Sequence, residues 1–217
     1  MLKTIDLIND LCWDYHTMDN YLIVDNWYTE EELKSVMKEL DYLSCTPMSR
    51  TENCLDAARD EDKKSLSKSF RIYPEHLYTE KGCLYSPIFK AITKFQQKEF
   101  HKKITQAFKN TNTALDKVFT DTNASSTLIS YYETNDKYDE HYDVFQYTVL
   151  IWVYKEPKSF KGGDLVFTKL NKKIECKNNR MILFPSFYYH AVEPVTMKTD
   201  DKGFGRYAIT HFFYRKF

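Results

Sequence analysis

The sequence predicts a mainly β protein of the α+β class, a barrel or sandwich with N-terminal helices packed on one outer face. Three observations predict it. Residues 127–214 hold seven short runs rich in Val, Ile, Thr, Tyr and Phe, separated by turn residues. Earlier residues carry two helix starts, each followed by apolar positions at 3.6 spacing. A chain of 217 residues with 42% hydrophobic content has the material for one domain's core.

Taken in order, Tyr21-Leu22-Ile23-Val24 reads as one early strand. Thr29 and Glu32 then form a capping box, with Tyr28 and Leu33 as the hydrophobic staple. The helix that starts there places Leu33, Val36, Met37 and Leu40 on one face. Residues 45–70 are polar, charged and without period, which suits either a lid or a disordered segment. Ser86 and Pro87 open a longer helix, whose stripe is Ile88, Phe89, Ile92, Phe95, Ile104 and Phe108. The strands expected beyond are Thr127–Glu133, Gln146–Lys155, Leu165–Thr168, Lys173–Cys176, Arg180–Phe184, Tyr188–Val195 and Arg206–Tyr214. The chain thus reads as a single domain, 1–217, with a mostly helical support region over 1–126 and a β core over 127–217.

Thirty-one Lys and Arg balance 31 Asp and Glu, so no excess of cations is available for a dedicated polyanion binder, and no nucleic-acid partner is expected. Five cysteines without a CxxC pair point to a reduced, cytoplasmic setting. The first residues lack a signal-peptide apolar block, and no stretch reaches 18 apolar residues, so no membrane partner is expected either. The oligomeric state stays open.

Of six histidines, only His141 has a carboxylate two positions on, at Asp143. About one such pair arises by chance in this composition, so its context must carry the reading. Strand alternation puts His141 and Asp143 on one face. A distant imidazole, His190, would complete a two-histidine, one-carboxylate set of the kind that holds Fe(II) on three positions and leaves three open. From periodicity alone, the core-histidine reading of His190 is the stronger.

The surrounding blocks decide between these. Tyr132-Glu-Thr-Asn-Asp-Lys-Tyr138-Asp-Glu-His141-Tyr-Asp143 resembles a segment of the prolyl 4-hydroxylase-like iron(II)/2-oxoglutarate-dependent oxygenases. Phe160-Lys-Gly162-Gly163-Asp-Leu165 is similar to their glycine turn, Asn179–Ser186 and His190–Val195 to their distal-histidine strand pair, and Gly205–Thr210 to their last core strand. The blocks run in the family's order.

This resemblance implies a double-stranded β-helix, a jelly-roll or cupin-like barrel, with His141, Asp143 and His190 as catalytic metal ligands. It implies Fe(II), with 2-oxoglutarate and O2 as cosubstrates, and allows ascorbate. Arg206 matches the cation that pairs with the far carboxylate of 2-oxoglutarate, a task suited to a planar, bidentate donor. Tyr132 matches a phenol that contacts the cosubstrate in relatives; Tyr138 is a weaker candidate. Arg206, Ala208, Thr210 and Phe212 share a face by alternation, so Thr210 is a candidate to support the same carboxylate, while His211 faces away into packing. Trp152 and Tyr154 are candidate pocket residues.

Two departures stand out. Asn135 occupies a customary glycine position, where Asn tolerates left-handed backbone. The 16-residue step from His190 to Arg206 is long, with the excess assigned to a loop over Thr196–Gly203. The expected activity is hydroxylation of a C–H bond, on a prolyl residue of a peptide or protein, or on a free amino acid or other small molecule. Asp143 argues against halogenation, and Phe212, six residues after Arg206, against a nucleobase demethylase. A noncatalytic scaffold and a cupin-like zinc or manganese protein are the readings from other classes.

Overall fold

Alternation along the core strands puts one set of side chains between two antiparallel sheets and the other set under the helices. The computed structural model describes residues 3–6, 12–18, 21–45, 48–54, 57–76, 78, 85–98, 100, 102, 121–199 and 201–217. In chain order the elements are β1 (Lys3–Asp6), β2 (Cys12–Met18), β3 (Tyr21–Val24), α1 (Glu30–Ser44), β4 (Ser49–Arg50), β5 (Ser67–Lys68), β6 (Phe70–Ile72) and α2 (Pro87–Ile92). The second half adds β7 (Ala124–Tyr132), β8 (Lys137–His141), β9 (Tyr147–Val153), β10 (Phe160–Gly162), β11 (Leu165–Phe167) and β12 (Lys172–Ile174). It closes with β13 (Arg180–Pro185), β14 (His190–Val192), β15 (Val195–Met197) and β16 (Arg206–Tyr214).

The large sheet runs β1-β2-β3-β13-β9-β16-β7-β6-β4 and the small one β12-β11-β14-β8-β5, with β10 and β15 paired apart. This is the double-stranded β-helix with helices on one outer face. The outer cluster joins Val36, Leu40 and Leu43 of α1, with Ile88 and Ala91 of α2, to Ile129, Val149, Ile151, Met181 and Ile209 of the large sheet. The inner cluster lies between the sheets and includes Tyr132, Trp152, Leu165, Phe167 and Phe184. Among the described residues, no helix is long and apolar enough to cross a membrane.

The helix starts form as their sequences dictate. Glu32 N–H donates to Thr29 Oγ1 at 3.2 Å and Thr29 N–H to the Glu32 carboxylate at 2.9 Å, closing the capping box. Phe89 N–H donates to Ser86 Oγ, the cap of α2. The buried Glu39 carboxylate of α1 accepts from Tyr78 Oη, Ser86 Oγ and Ile88 N–H, docking the two helices. The longer helix expected from Pro87 is shorter: it tightens after Ile92 into a 3-10 turn over Thr93–Gln96. In the tighter turn Phe95 stacks on Trp27, at 4.8 Å between ring centroids. Ile104, Phe108 and the Ile92 side chain lie outside the described residues.

The described residues before β7 form six strands rather than the single one expected. β4 reaches the large sheet through β6, and β5 joins the small sheet through β8, so the polar stretch before residue 70 forms a wall across both sheets. Its stability comes from hydroxyls in place of apolar periodicity. Thr51 Oγ1 donates to the Ser67 carbonyl at 2.7 Å and accepts from Ser69 N–H at 3.1 Å. Arg50 grips Asp136 with two nitrogens, at 3.0 and 3.1 Å, tying this wall to the turn before β8.

The C-terminal strands follow the expected runs with three exceptions. The polar β8 and the short β10 were not evident in the sequence. The run Tyr188–Val195 divides into β14 and β15, and β15 pairs with β10, so Thr196 and Met197 belong to a strand and the loop begins after them. Asn135 adopts φ +68°, and the turn survives without glycine.

Candidate metal centre and cosubstrate pocket

β14 and β8 are antiparallel neighbours, with His190 directly opposite His141. Asp143 reaches them from the loop after β8, not from the strand itself as alternation suggested. Its backbone N–H donates to the Ser186 carbonyl at 2.8 Å, which fixes the loop against the end of β13. One ligand atom from each of His141, Asp143 and His190 lies within 4.8 Å of the others. The two imidazole Nε2 atoms each stand 3.8 Å from a different Asp143 oxygen.

Both rings are oriented by the same device. His141 Nδ1 lies 2.9 Å from the Asp139 carbonyl and His190 Nδ1 2.8 Å from the Tyr188 carbonyl. A carbonyl only accepts, so each Nδ1 carries the proton and each Nε2 lone pair faces the centre, as a metal ligand requires. Tyr138 stacks flat on His141, 3.5 Å between centroids, and Phe184 meets His190 edge-on. Thr148 Oγ1 donates to Asp143 at 2.6 Å and is within 2.9 Å of Ser186 Oγ.

Burial, then the neighbouring His190, lowers the pKa of His141 to about 3. Burial raises that of Asp143, opposed by His190 and by the Thr148 hydrogen bond. Two imidazoles that turn Nε2 toward a carboxylate short of compensating charge make a donor set that a divalent cation completes. Two nitrogens and one oxygen on one side are the facial set of non-haem Fe(II).

The ligands line a cavity of about 410 Å³ that also includes Tyr132, Arg206, Ala208, Thr210 and Phe212. Arg206 is fully buried, and among the described residues none of its three side-chain nitrogens meets a hydrogen-bond acceptor in good geometry. It is held between aromatic faces, 4.6 Å from the Tyr132 ring centroid and 5.8 Å from that of Trp152. The Tyr132 phenol and the Cys176 thiol are its polar neighbours. Gly163, at φ +74°, makes the space: a Cβ there would sit 2.6 Å from Arg206 Cδ. A buried, unpaired guanidinium is costly by itself, and an incoming carboxylate supplies what it lacks. The residues therefore fit both iron and a dicarboxylate cosubstrate.

Most predicted site residues converge here. Thr210 lines the same cavity as Arg206, four residues further along β16 on the same face. Trp152 packs behind Arg206, and Tyr154 packs edge-on against Phe160 rather than in the cavity. His211 faces away, stacked on Phe95 and 2.9 Å from Thr127 Oγ1. Sequence reasoning missed Thr148 and Ser186, which steady Asp143, and the buried Arg71 on the cavity wall. A hydroxyl or charge inside an apolar strand was the available signal.

Residues 127–214 match the family model described as 2OG-Fe(II) oxygenase superfamily. Comparison with curated protein sequences gives no match. Among solved structures, the fold is similar to that of a Pseudomonas putida prolyl-4-hydroxylase, with TM-score 0.57 and 13% identity over 91% of this chain and 94% of that one. It is also similar to the viral collagen prolyl hydroxylase of Paramecium Bursaria Chlorella virus-1 in its 2OG complex, with TM-score 0.51 and 16% identity over 90% and 95%. A third is a Trichoplax adhaerens prolyl hydroxylase in complex with a hypoxia inducible factor oxygen degradation domain peptide fragment, with TM-score 0.54 and 16% identity over 91% and 84%. At these identities the likeness is one of fold. These findings support a 2-oxoglutarate-dependent dioxygenase: residues 127–214, which carry the ligand-bearing strands, match the 2OG-Fe(II) oxygenase superfamily, and the fold is prolyl 4-hydroxylase-like.

Proposed function

We propose that this dioxygenase hydroxylates a C–H bond of a prolyl residue in a peptide or protein. The observation that carries the reading is the single cavity joining the His141, Asp143 and His190 triad to the unpaired Arg206. His141 Nε2, His190 Nε2 and the Asp143 carboxylate would hold the iron, and Arg206 would hold the far carboxylate of 2-oxoglutarate beside the Tyr132 phenol. When bound, iron, 2-oxoglutarate and O2 together supply an oxidant that converts C–H to C–OH, with succinate and carbon dioxide as co-products.

The chain's own residues position and shield. Thr148 keeps the Asp143 carboxylate turned toward the imidazoles, and the two backbone carbonyls hold the imidazole rings in place. Leu150, Leu165, Phe184 and Val192 line the walls with hydrocarbon and exclude water. Four exposed apolar side chains, Tyr142, Val144, Phe187 and Tyr189, flank the ligands on their two loops, a surface suited to chain on either side of a target residue. The fold likeness to prolyl hydroxylases, one solved with a peptide, supports the same substrate class.

Phe212 stacks on Phe145 at 4.5 Å and gives the wall an apolar ring where a nucleobase demethylase has arginine. The free thiols of Cys45, Cys54 and Cys176 support a reducing, cytoplasmic setting. The test is a screen for O2-dependent succinate release across proline-containing peptides and free amino acids, with and without ascorbate. Release stimulated by peptides is the expected result; stimulation by free amino acids alone sinks the prolyl-peptide reading.

A further inference from the structure

Arg71 lines the cavity, and the assignments above give it no task. It lies at the centre of β6, in register with Ser130 on β7, which is in turn in register with Ala208 on β16. Arg206 belongs to the neighbouring inward row, opposite Tyr132. Side chains in register on adjacent strands stand side by side on one face, about 5 Å apart. Arg71 and Ser130 therefore enter the cavity together, and both line it. Arg71 is 7% exposed, and its guanidinium lies 5.7 Å from the Tyr73 ring centroid. It shares the cavity with Tyr138, the phenol stacked on His141, and with the metal ligands themselves.

A guanidinium carries five N–H donors in a rigid fork, more than one partner can use, and the Ser130 hydroxyl adds another beside it. The planar oxyanion that fits such a fork is a carboxylate. The cosubstrate's far carboxylate is accounted for by Arg206, one row deeper and two strands away. We infer that Arg71 and Ser130 form an anion subsite on the substrate side of the cavity, and that the substrate places a carboxylate there, next to the carbon that is hydroxylated. The inference rests on the hydroxylase reading above and narrows its substrate. The carboxylate has two sources: the target residue's own α-carboxylate, when that residue is free or C-terminal, or an acidic side chain beside it in a peptide.

The experiment uses the full chain loaded with Mn(II) and 2-oxoglutarate under anaerobic conditions, and calorimetric binding of matched acid and amide probes. One pair is N-acetyl-L-proline and its amide; the other is acetyl-Ala-Pro-Asp-amide and acetyl-Ala-Pro-Asn-amide. At least one acid should bind roughly tenfold more tightly than its neutral partner, and the pair that does so identifies the source. Arg71→Gln and Ser130→Ala should each erode that preference while the 2-oxoglutarate Kd stays within about twofold. Arg71→Lys, which keeps the charge and loses the fork, should retain part of it and serves if the glutamine variant does not fold. The subsite is overturned by a wild type that binds acid and amide alike or binds no acid in any pair, by a preference that survives Arg71→Gln, or by a tenfold loss of 2-oxoglutarate binding in that variant. If neither prolyl pair binds but L-leucine is preferred over L-leucinamide in an Arg71-dependent way, the subsite stands and the prolyl reading falls.

Discussion

The two faces of β16 are equally buried and chemically opposite. Outward, Tyr207, Ile209 and Phe213 enter the cluster under the helices, with His211 stacked among the same aromatics. Inward, Arg206, Ala208, Thr210 and Phe212 line the cavity. Burial alone does not separate them, and neither does partnering, since Tyr207 Oη and His211 Nε2 on the outward face also lack hydrogen-bond partners among the described residues; what does is charge. The outward face is filled by its own neighbours, whereas the inward face ends on a guanidinium that the protein leaves unmatched. Stability and chemistry are thus interleaved residue by residue along one strand.

The sharpest way to break this contrast is to remove a ligand from the inward side. His190→Ala should abolish iron binding and succinate formation while leaving far-ultraviolet circular dichroism unchanged; full activity in this variant would exclude the assigned triad. Next in size, Arg206→Leu should weaken 2-oxoglutarate binding by about 3 kcal/mol, roughly a hundredfold, from the lost bidentate pair. Its urea midpoint should not fall, because a buried charge without an acceptor contributes no stability. A large drop would show that the guanidinium is a packing group after all.

The outward face gives smaller effects on stability alone. Burial holds the pKa of His211 to about 3, below the 6.5 of the exposed ring. Between those values the unfolded chain binds a proton that the folded chain refuses. Stability from this group is therefore full above pH 6.5 and is lost as pH falls toward 3, by about 1.4 kcal/mol per pH unit. Urea melts of wild type and His211→Gln from pH 7 to pH 5 should show the steeper fall in the wild type, and the difference removes the parallel contribution of metal-free His141. Smallest, Ile209→Val should cost about 1 kcal/mol in the same melts and leave 2-oxoglutarate binding untouched.

Much of the inward face was legible in sequence because strand alternation is strict. Arg206, Ala208, Thr210 and Phe212 fell on one side and His211 on the other, as the period requires. The capping box at Thr29 and the cap at Ser86 were equally legible, being local. What escaped was whatever depends on partners distant in the chain. β8 reads Lys-Tyr-Asp-Glu-His, with no apolar period, and is a strand because β14 and β5 flank it. The wall before residue 70 is held by hydroxyls that meet only once the sheets have formed. Asp143 was placed on the correct side for an incomplete reason, since the loop after β8, fixed by Ser186 and Thr148, aims it.

The Gly163 contact with Arg206 has a consequence for choice among cosubstrates. The ligand triad and the guanidinium are both set on core strands, and the glycine lets Arg206 retreat until its side chain rests on bare backbone. The span between them then works as a ruler. A side chain at 163 would push the guanidinium toward the ligands and shorten the span. On the proposed role of Arg206, discrimination among keto-diacids that differ by one methylene would be set at a position that touches none of them.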